Sequence, residues 1–265
     1  MKVEFHGVRG SLPIPAKNFL EYGGNTTSIE ISSKDFQLII DAGSGFRNIQ
    51  IREETPTFLL FSHFHHDHLQ GLPFNSALFS KKHQIHVGSG LVDRTGLKEA
   101  LSSAFTPPLF PLNLVNHNLA FNIMNFETFQ AAAIDFFSIE KFPLCHPGGA
   151  SGYKILIGNR SIVCGLDHEY GLNKEQDVNF HKASYNSDLV IWDGMFTNSE
   201  LTDKQGWGHS SIEQAVAFSS SANPKALFIT HHSPQREDRE LNQLAQDLLP
   251  SRVRFAKENE KFEIL

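Results

Sequence analysis

Apolar and polar positions alternate from the start of the chain. Val3 and Phe5 alternate with Lys2 and Glu4, the period-two pattern of a strand with one buried face. A loop rich in Gly and Pro follows (Gly7, Gly10, Pro13, Pro15), then Gly23-Gly24-Asn25. Residues 28–31 and 36–40 predict a strand pair around the polar turn Ser32-Ser33-Lys34-Asp35. Phe58-Leu59-Leu60-Phe61 is apolar throughout, as suits a strand buried on both faces. Further strands are predicted at 84–87, 134–139, 153–157, 161–164, 188–192, 226–230 and 253–256. Residues 94–105 have helical spacing, with Leu97, Leu101 and Ala104 on one face. A second helix starts near Ser210-Ser211-Ile212-Glu213, which has capping-box spacing. A third covers 238–248, with Leu241, Leu244, Ala245 and Leu248 inward.

Strands come first in runs and then alternate with helices. Two β-sheets covered by helices on their outer faces accommodate that order, an α/β arrangement. With 265 residues, one domain spanning 1–265 is expected. Residues 106–128 hold three prolines and many exposed-looking apolar residues (Leu109, Phe110, Leu112, Leu114, Val115, Phe121). They are read as a lid or a subunit contact, with a core-packing irregular segment as the alternative; the subunit contact suggests a homodimer.

Composition narrows the function. A net charge of −6 gives no general attraction to a polyanion, and no dense Lys/Arg run offers a local one, which disfavours a nucleic-acid polymer as partner. Only two cysteines occur, so a reducing, cytoplasmic setting is expected. The N-terminus lacks the apolar core of a secretory signal. No stretch approaches the roughly 20 apolar residues of a membrane span.

The candidate chemistry is concentrated in Ser62-His63-Phe64-His65-His66-Asp67-His68, directly after an apolar strand. His63, His65, Asp67 and His68 are four groups suited to zinc, manganese or iron. His63 and His65 face one side if the chain stays extended, and Asp67 and His68 reach a second position after a turn. His146 lies just before a predicted strand, and Asp167 and His231 lie just after predicted strands, where α/β folds gather function. His209 precedes the capped helix and is a candidate to protonate or stabilise a leaving oxygen. Cys164 falls inside a strand and reads as a packing residue. His66, His168 and His232 sit beside stronger candidates and are expected in supporting or solvent roles.

The pattern resembles the metallo-β-lactamase superfamily, whose hallmark His-x-His-x-Asp-His is met by His63, His65, Asp67 and His68. The resemblance implies an αββα sandwich of two mixed β-sheets flanked by helices, and two Zn²⁺, one held by His63, His65 and His146, the other by Asp67, His68 and His231, with Asp167 between them; Mn²⁺ or iron are the other candidates. An aspartate at the bridging position looks more like the phosphodiesterase and ribonuclease Z side than like antibiotic-degrading enzymes. Arg9-Gly10-Ser11, Tyr22-Gly23-Gly24-Asn25-Thr26 and Gly208-His209-Ser210 are similar to segments of small bacterial and phage cyclic-nucleotide phosphodiesterases. Where ribonuclease Z carries its His-Glu-Ala-Thr segment, this chain has Trp192-Asp193-Gly194-Met195, and no insertion suits a tRNA-gripping arm.

The expected reaction is therefore hydrolysis of a small phosphodiester, a cyclic nucleotide first, to a nucleoside monophosphate by a metal-bridging hydroxide. Asp67 and His209 are the expected catalytic groups, with backbone near Asn25 and Ser210 contacting phosphate. The alternatives are an RNA endonuclease of the ribonuclease Z type, a lactone or thioester hydrolase, and a non-catalytic ligand sensor.

Overall fold

The computed structural model of the chain describes residues 1–80, 82–117 and 120–264. Among these, the strands form two sheets. The first contains β1 (Lys2–Gly7), β2 (Ser28–Ser32), β3 (Gln37–Ile40), β4 (Thr57–Phe61), β5 (Ile85–Ser89) and β6 (Phe121–Ile123). The second contains β7 (Ser138–Leu144), β8 (Ala150–Ile157), β9 (Arg160–Gly165), β10 (Leu189–Asp193), β11 (Ala226–Thr230) and β12 (Val253–Phe255). The last strand, β13 (Lys261–Glu263), returns to the first sheet and pairs with β1. The strand orders are β13-β1-β2-β3-β4-β5-β6 and β12-β11-β10-β9-β8-β7. Both sheets are mixed. In the first, β1 to β3 are antiparallel neighbours and β3 to β6 parallel. In the second, β9 to β12 are parallel.

Each central strand divides its side chains between two cores. Phe58 and Leu60 of β4 enter the core between the sheets, while Leu59 and Phe61 enter a second core on the outer face. In β10, Leu189 and Ile191 face the other sheet, and Val190 and Trp192 face outward. The continuous apolar runs follow from this two-sided burial. The inter-sheet core pairs residues such as Phe5, Ile29 and Leu38 with Ile155, Ile162 and Phe228. Fully burying each such side chain stabilises the fold by about 1.5–3 kcal/mol.

The described residues also form seven α-helices: α1 (His66–Leu69), α2 (Arg94–Ala104), α3 (Phe126–Ala133), α4 (Lys174–Ser184), α5 (Asn198–Leu201), α6 (Ile212–Ala222) and α7 (Asp238–Leu248). Leu97 and Leu101 of α2 cover the outer face of the first sheet. Phe180 of α4, Ala215 and Phe218 of α6 and Leu241 of α7 cover that of the second. The result is the expected αββα sandwich.

Several local expectations are corrected. The strand expected over 134–139 begins only at Ser138, because Phe126, Phe129 and Ala133 instead form the buried face of α3 and leave Ile134 66% exposed. The helix cap lies one residue later than expected: Ser211 and Gln214 form the reciprocal capping box of α6. Glu213 instead accepts from the Asn198 amide. Within the apolar segment at 106–128, Leu114 is buried, and Phe110, Leu112, Val115 and Phe121 pack against the outer core of the first sheet. Leu109 remains 75% exposed. Residues 118 and 119 of this segment lie outside the described residues. Among the described residues, no helix is long and apolar enough to cross a membrane.

Candidate metal centre

The functional side chains gather where strand ends meet along one edge of the sandwich. β4 leads into the loop that carries His63 and His65 and then into α1, whose first turn carries Asp67 and His68. β7 ends just before His146, β9 just before Asp167, β10 on Asp193 and β11 just before His231. Sequence distances of more than 160 residues collapse here: His231 Nε2 lies 3.1 Å from Asp67 Oδ2.

Asp167 stands at the middle. Its Oδ2 lies 3.5 Å from His63 Nε2 and 3.6 Å from His146 Nε2. Its Oδ1 lies 3.2 Å from His68 Nε2 and 3.4 Å from His231 Nε2. The two oxygens of one carboxylate thus face two separate groups. His63, His65, His146 and Asp167 form one set and Asp67, His68 and His231 another, each with ligand atoms within 4.8 Å of one another; a third, Asp167, Asp193, His209 and His231, overlaps both. All seven candidate ligands named from the sequence are brought together.

Surrounding bonds aim the rings inward. His68 Nδ1 is held by Asp41 at 2.8 Å, His146 Nδ1 by the Gly208 carbonyl at 2.8 Å, and His63 Nδ1 by the Ser62 hydroxyl at 3.0 Å. Each Nδ1 is therefore engaged and each Nε2 is turned to the centre, the arrangement that orients metal-ligating histidines. Asp41 also accepts from the Ser62 amide and hydroxyl. Asp67 Oδ2 accepts from the Ser11 amide at 2.7 Å. Gly10 packs on the His231 ring and Gly208 on the His146 ring, each so closely that a Cβ would collide.

The backbone is strained at the same place. Asp41, Asp167 and His231 adopt φ of 62°, 54° and 58°, the left-handed region that non-glycine residues rarely occupy. Each directly follows, or nearly follows, a strand, so the turn re-aims its side chain. Such strain costs on the order of 1–3 kcal/mol per residue and persists only where the surroundings enforce it.

The electrostatics fit a divalent cation. Burial favours protonation of the Asp167 carboxyl, but His231, His68 and His63 outweigh it and hold its pKa well below the usual carboxylate range. Asp67 is lowered likewise: burial is outweighed by His68 and His231. Burial is the largest influence lowering His63, His65 and His146, which favours the neutral imidazole that ligates metal. His68 and His231 shift the other way, because nearby aspartates outweigh burial. Among the described residues, no Lys or Arg forms an ion pair with these buried carboxylates. His63 Nε2, His68 Nε2 and Asp167 Oδ1 are buried with no hydrogen-bond partner. Buried polar atoms that converge without partners are what an imidazole–carboxylate metal site requires.

The family comparison agrees with this geometry. Residues 37–232 match the family described as the beta-lactamase superfamily domain. The chain belongs to the metallo-β-lactamase superfamily. It is a metal-dependent hydrolase by that membership. Within the superfamily it is similar to ribonuclease Z of Pyrococcus horikoshii, 22% identical over 303 residues that cover 96% of this chain and 93% of that enzyme. The metallo-β-lactamase fold protein YhfI of Bacillus subtilis shares the fold with a TM-score of 0.74 at 21% identity, covering 99% of each chain. A diphosphatase of the PhnP family does so with a TM-score of 0.68 at 14% identity, over 100% of this chain and 98% of that one.

His209 lies beside this metallo-β-lactamase centre and has a partner that sequence reasoning did not name. Asp193 Oδ2 is 2.7 Å from His209 Nδ1, and Asp193 Oδ1 accepts from the Met195 amide at 3.1 Å. The His209 ring stacks on that of His231 at 4.9 Å. Asp193 is the last residue of β10 and directly follows the strand predicted at 188–192, so the strand-end criterion applied to Asp167 covers it as well. Asp41 carried the same signal at the end of β3.

The side chains of Asn25 and Ser210, whose backbone was expected to contact substrate, bond within the protein. The Asn25 amide donates to Glu258 Oε1, its side-chain nitrogen donates to Glu258 Oε2, and its oxygen accepts from Ser44. The buried Ser210 hydroxyl donates to the His168 carbonyl and accepts from the Tyr170 amide. His168 bonds Asp177 and the Cys145 amide, His232 bonds the Ala256 carbonyl, and His66 is exposed. Cys164 is buried in the inter-sheet core. Trp192 packs among Phe180, Phe218 and Tyr170 in the outer core of the second sheet, and its indole brings no titratable group to the centre.

Proposed function

We propose that this chain hydrolyses a small phosphodiester, with cyclic nucleotides the first substrates to test, at a centre holding two Zn²⁺. The observation that carries the reading is the Asp167 carboxylate, which faces His63 and His146 with one oxygen and His68 and His231 with the other. His63, His65 and His146 are assigned to one cation, and Asp67, His68 and His231 to the other. Bound cations supply Lewis acidity, lowering the pKa of a coordinated water and neutralising charge on phosphoryl oxygens.

The protein's own groups do the rest. Asp67 is placed to accept a hydrogen bond from the nucleophile. His209, oriented by Asp193 through its Nδ1, presents Nε2 as the proton donor to a leaving alkoxide. Asp193 sets which nitrogen carries the proton and offsets the ring's charge when both do, the division of labour of an oriented histidine. The likenesses to a ribonuclease Z and to a PhnP-family diphosphatase support phosphate ester chemistry. Both cysteines are free, which supports a reducing, cytoplasmic setting. The exposed Leu109 supports a contact between two copies, or a lid, at 106–128.

The test is turnover by zinc-loaded protein of a panel of 3′,5′- and 2′,3′-cyclic nucleotides, with and without chelator. Chelator-sensitive release of a nucleoside monophosphate supports the reading. No conversion with two metals bound per chain refutes it. The likeness to ribonuclease Z favours one second reading, cleavage of RNA. That reading predicts RNA binding that weakens steeply with salt, whereas a small substrate does not.

A further inference from the structure

Trp207 is the more exposed of the two tryptophans. Its neighbour in kind, Trp192, is 1% exposed, while Trp207 is 55% exposed. An exposed tryptophan on a loose loop would carry no message. The backbone on both sides of this one is tied to groups at the metal centre.

Gly206 and Gly208 flank it, with φ of 85° and 87°, a conformation that suits glycine on both sides of the indole. The buried Glu169 carboxylate accepts from both glycine amides, at 2.8 Å from Gly206 and 2.8 Å from Gly208. The Gly208 carbonyl in turn holds His146 Nδ1, and the next residue is His209. Phe196 links the parts: its ring is 5.9 Å from that of His209 and 6.4 Å from that of Trp207. The Lys204 ammonium stands 4.2 Å from the centroid of the indole. A second exposed apolar side chain, Leu12 at 50% exposure, follows Ser11, whose amide is bound by Asp67. Two open apolar surfaces therefore lie one or two residues from groups of the centre.

We infer that Trp207, with Lys204 beside it, is a stacking subsite at the rim of the metal centre that takes the planar base of a nucleotide substrate. The inference rests on the phosphodiester reading and specifies what the non-reacting part of the substrate is. A rigid indole offers every base a π-face, and a lysine ammonium nearby adds attraction for a phosphate or carbonyl oxygen. The double clamp by Glu169 fixes the backbone on both sides of Trp207 relative to His146 and His209, so that the subsite orients the ligand as well as retaining it. The class of substrate follows: a phosphodiester bearing an aromatic base, with weak preference among bases because stacking reads a shared surface.

The presence of one buried and one exposed tryptophan makes the test direct. Zinc-loaded protein is titrated with adenosine 5′-monophosphate and, separately, with ribose 5-phosphate, following tryptophan emission and binding heat. The expected result is quenching of the solvent-exposed emission by the nucleotide and none by the sugar phosphate. Trp207→Ala should weaken nucleotide affinity about tenfold or more and leave ribose 5-phosphate unchanged, and Trp207→Phe should restore most of the affinity. Equal affinity for the two ligands, or nucleotide binding unchanged in Trp207→Ala, overturns the inference. Turnover of bis(p-nitrophenyl) phosphate by the same wild-type preparation reports separately on the phosphodiesterase reading. Turnover without a base effect removes the subsite alone, and base-dependent binding without turnover removes the reaction alone.

Discussion

Replacing Asp193 with Asn isolates the role of the His209 pair. Asp193 Oδ1 is committed to the Met195 amide, and Oδ2 faces His209 Nδ1 at 2.7 Å. In Asp193→Asn the amide oxygen keeps the Met195 bond, because that position needs an acceptor. The NH₂ group is then turned toward His209, whose Nδ1 must accept instead of donate. The ring proton moves to Nε2, and the charge that offset a doubly protonated ring is lost. A hydrogen bond with one charged partner contributes about 1.5–3 kcal/mol, so a loss of about 10- to 10²-fold in kcat is expected, with about 10⁴-fold as the ceiling for general acid catalysis. The assay compares a cyclic nucleotide, whose alkoxide leaving group needs a proton, with bis(p-nitrophenyl) phosphate, whose phenolate leaves without one. The cyclic nucleotide should lose about 10- to 10²-fold and the aryl ester less than about threefold. Metal content, measured by plasma mass spectrometry, should hold, since Asp193 is 3.7 Å from His231 Nδ1 and makes no hydrogen bond to it. Equal losses on both substrates with metals retained would refute the assignment of His209 as proton donor.

Other substitutions separate holding from positioning. Asp167→Ala should abolish binding of both cations, whereas Asp67→Ala should lose one; stoichiometry after dialysis reads the difference, and two metals retained in Asp167→Ala would end the bridging assignment. Asp41→Ala removes the bond to His68 Nδ1 and both Ser62 contacts, and should weaken metal affinity about 10–100-fold in a chelator competition. Far from the centre, burial works against ionised Asp188, but Lys225, the Ser161 amide and Arg160 outweigh it and lower its pKa. Its contribution to stability is thus present above the unfolded value of about 3.8–3.9 and is lost as pH falls through the lower folded value. The urea midpoint of Asp188→Asn should lie below wild type at pH 7, and the gap should narrow as the pH is lowered below 4; a gap independent of pH would contradict this.

The amino-acid sequence by itself determined the features whose physics is local. Strict alternation marked β1, the polar turn at 32–35 marked the pair β2 and β3, and the unbroken apolar run marked β4 as buried on both faces, because the side-chain period of a strand is two wherever it sits. Four candidate ligands within six residues after that strand identified a metal-binding loop before any partner was located. The order of strands and helices was enough for a sandwich. Tertiary structure decided what depends on meetings between distant residues. Asp193 meets His209 across 16 positions, and Asp41 meets His68 across 27; no periodicity records either. The left-handed turns at Asp41, Asp167 and His231 are invisible in sequence because these residue types do not advertise that conformation as glycine does. The apolar side chains of 106–128 look exposed in isolation, yet Leu114 and its neighbours cover the outer face of the first sheet. Burial belongs to the assembled surface and not to the segment, so a pattern of residue types shows which side chains want cover and only the folded chain shows what covers them.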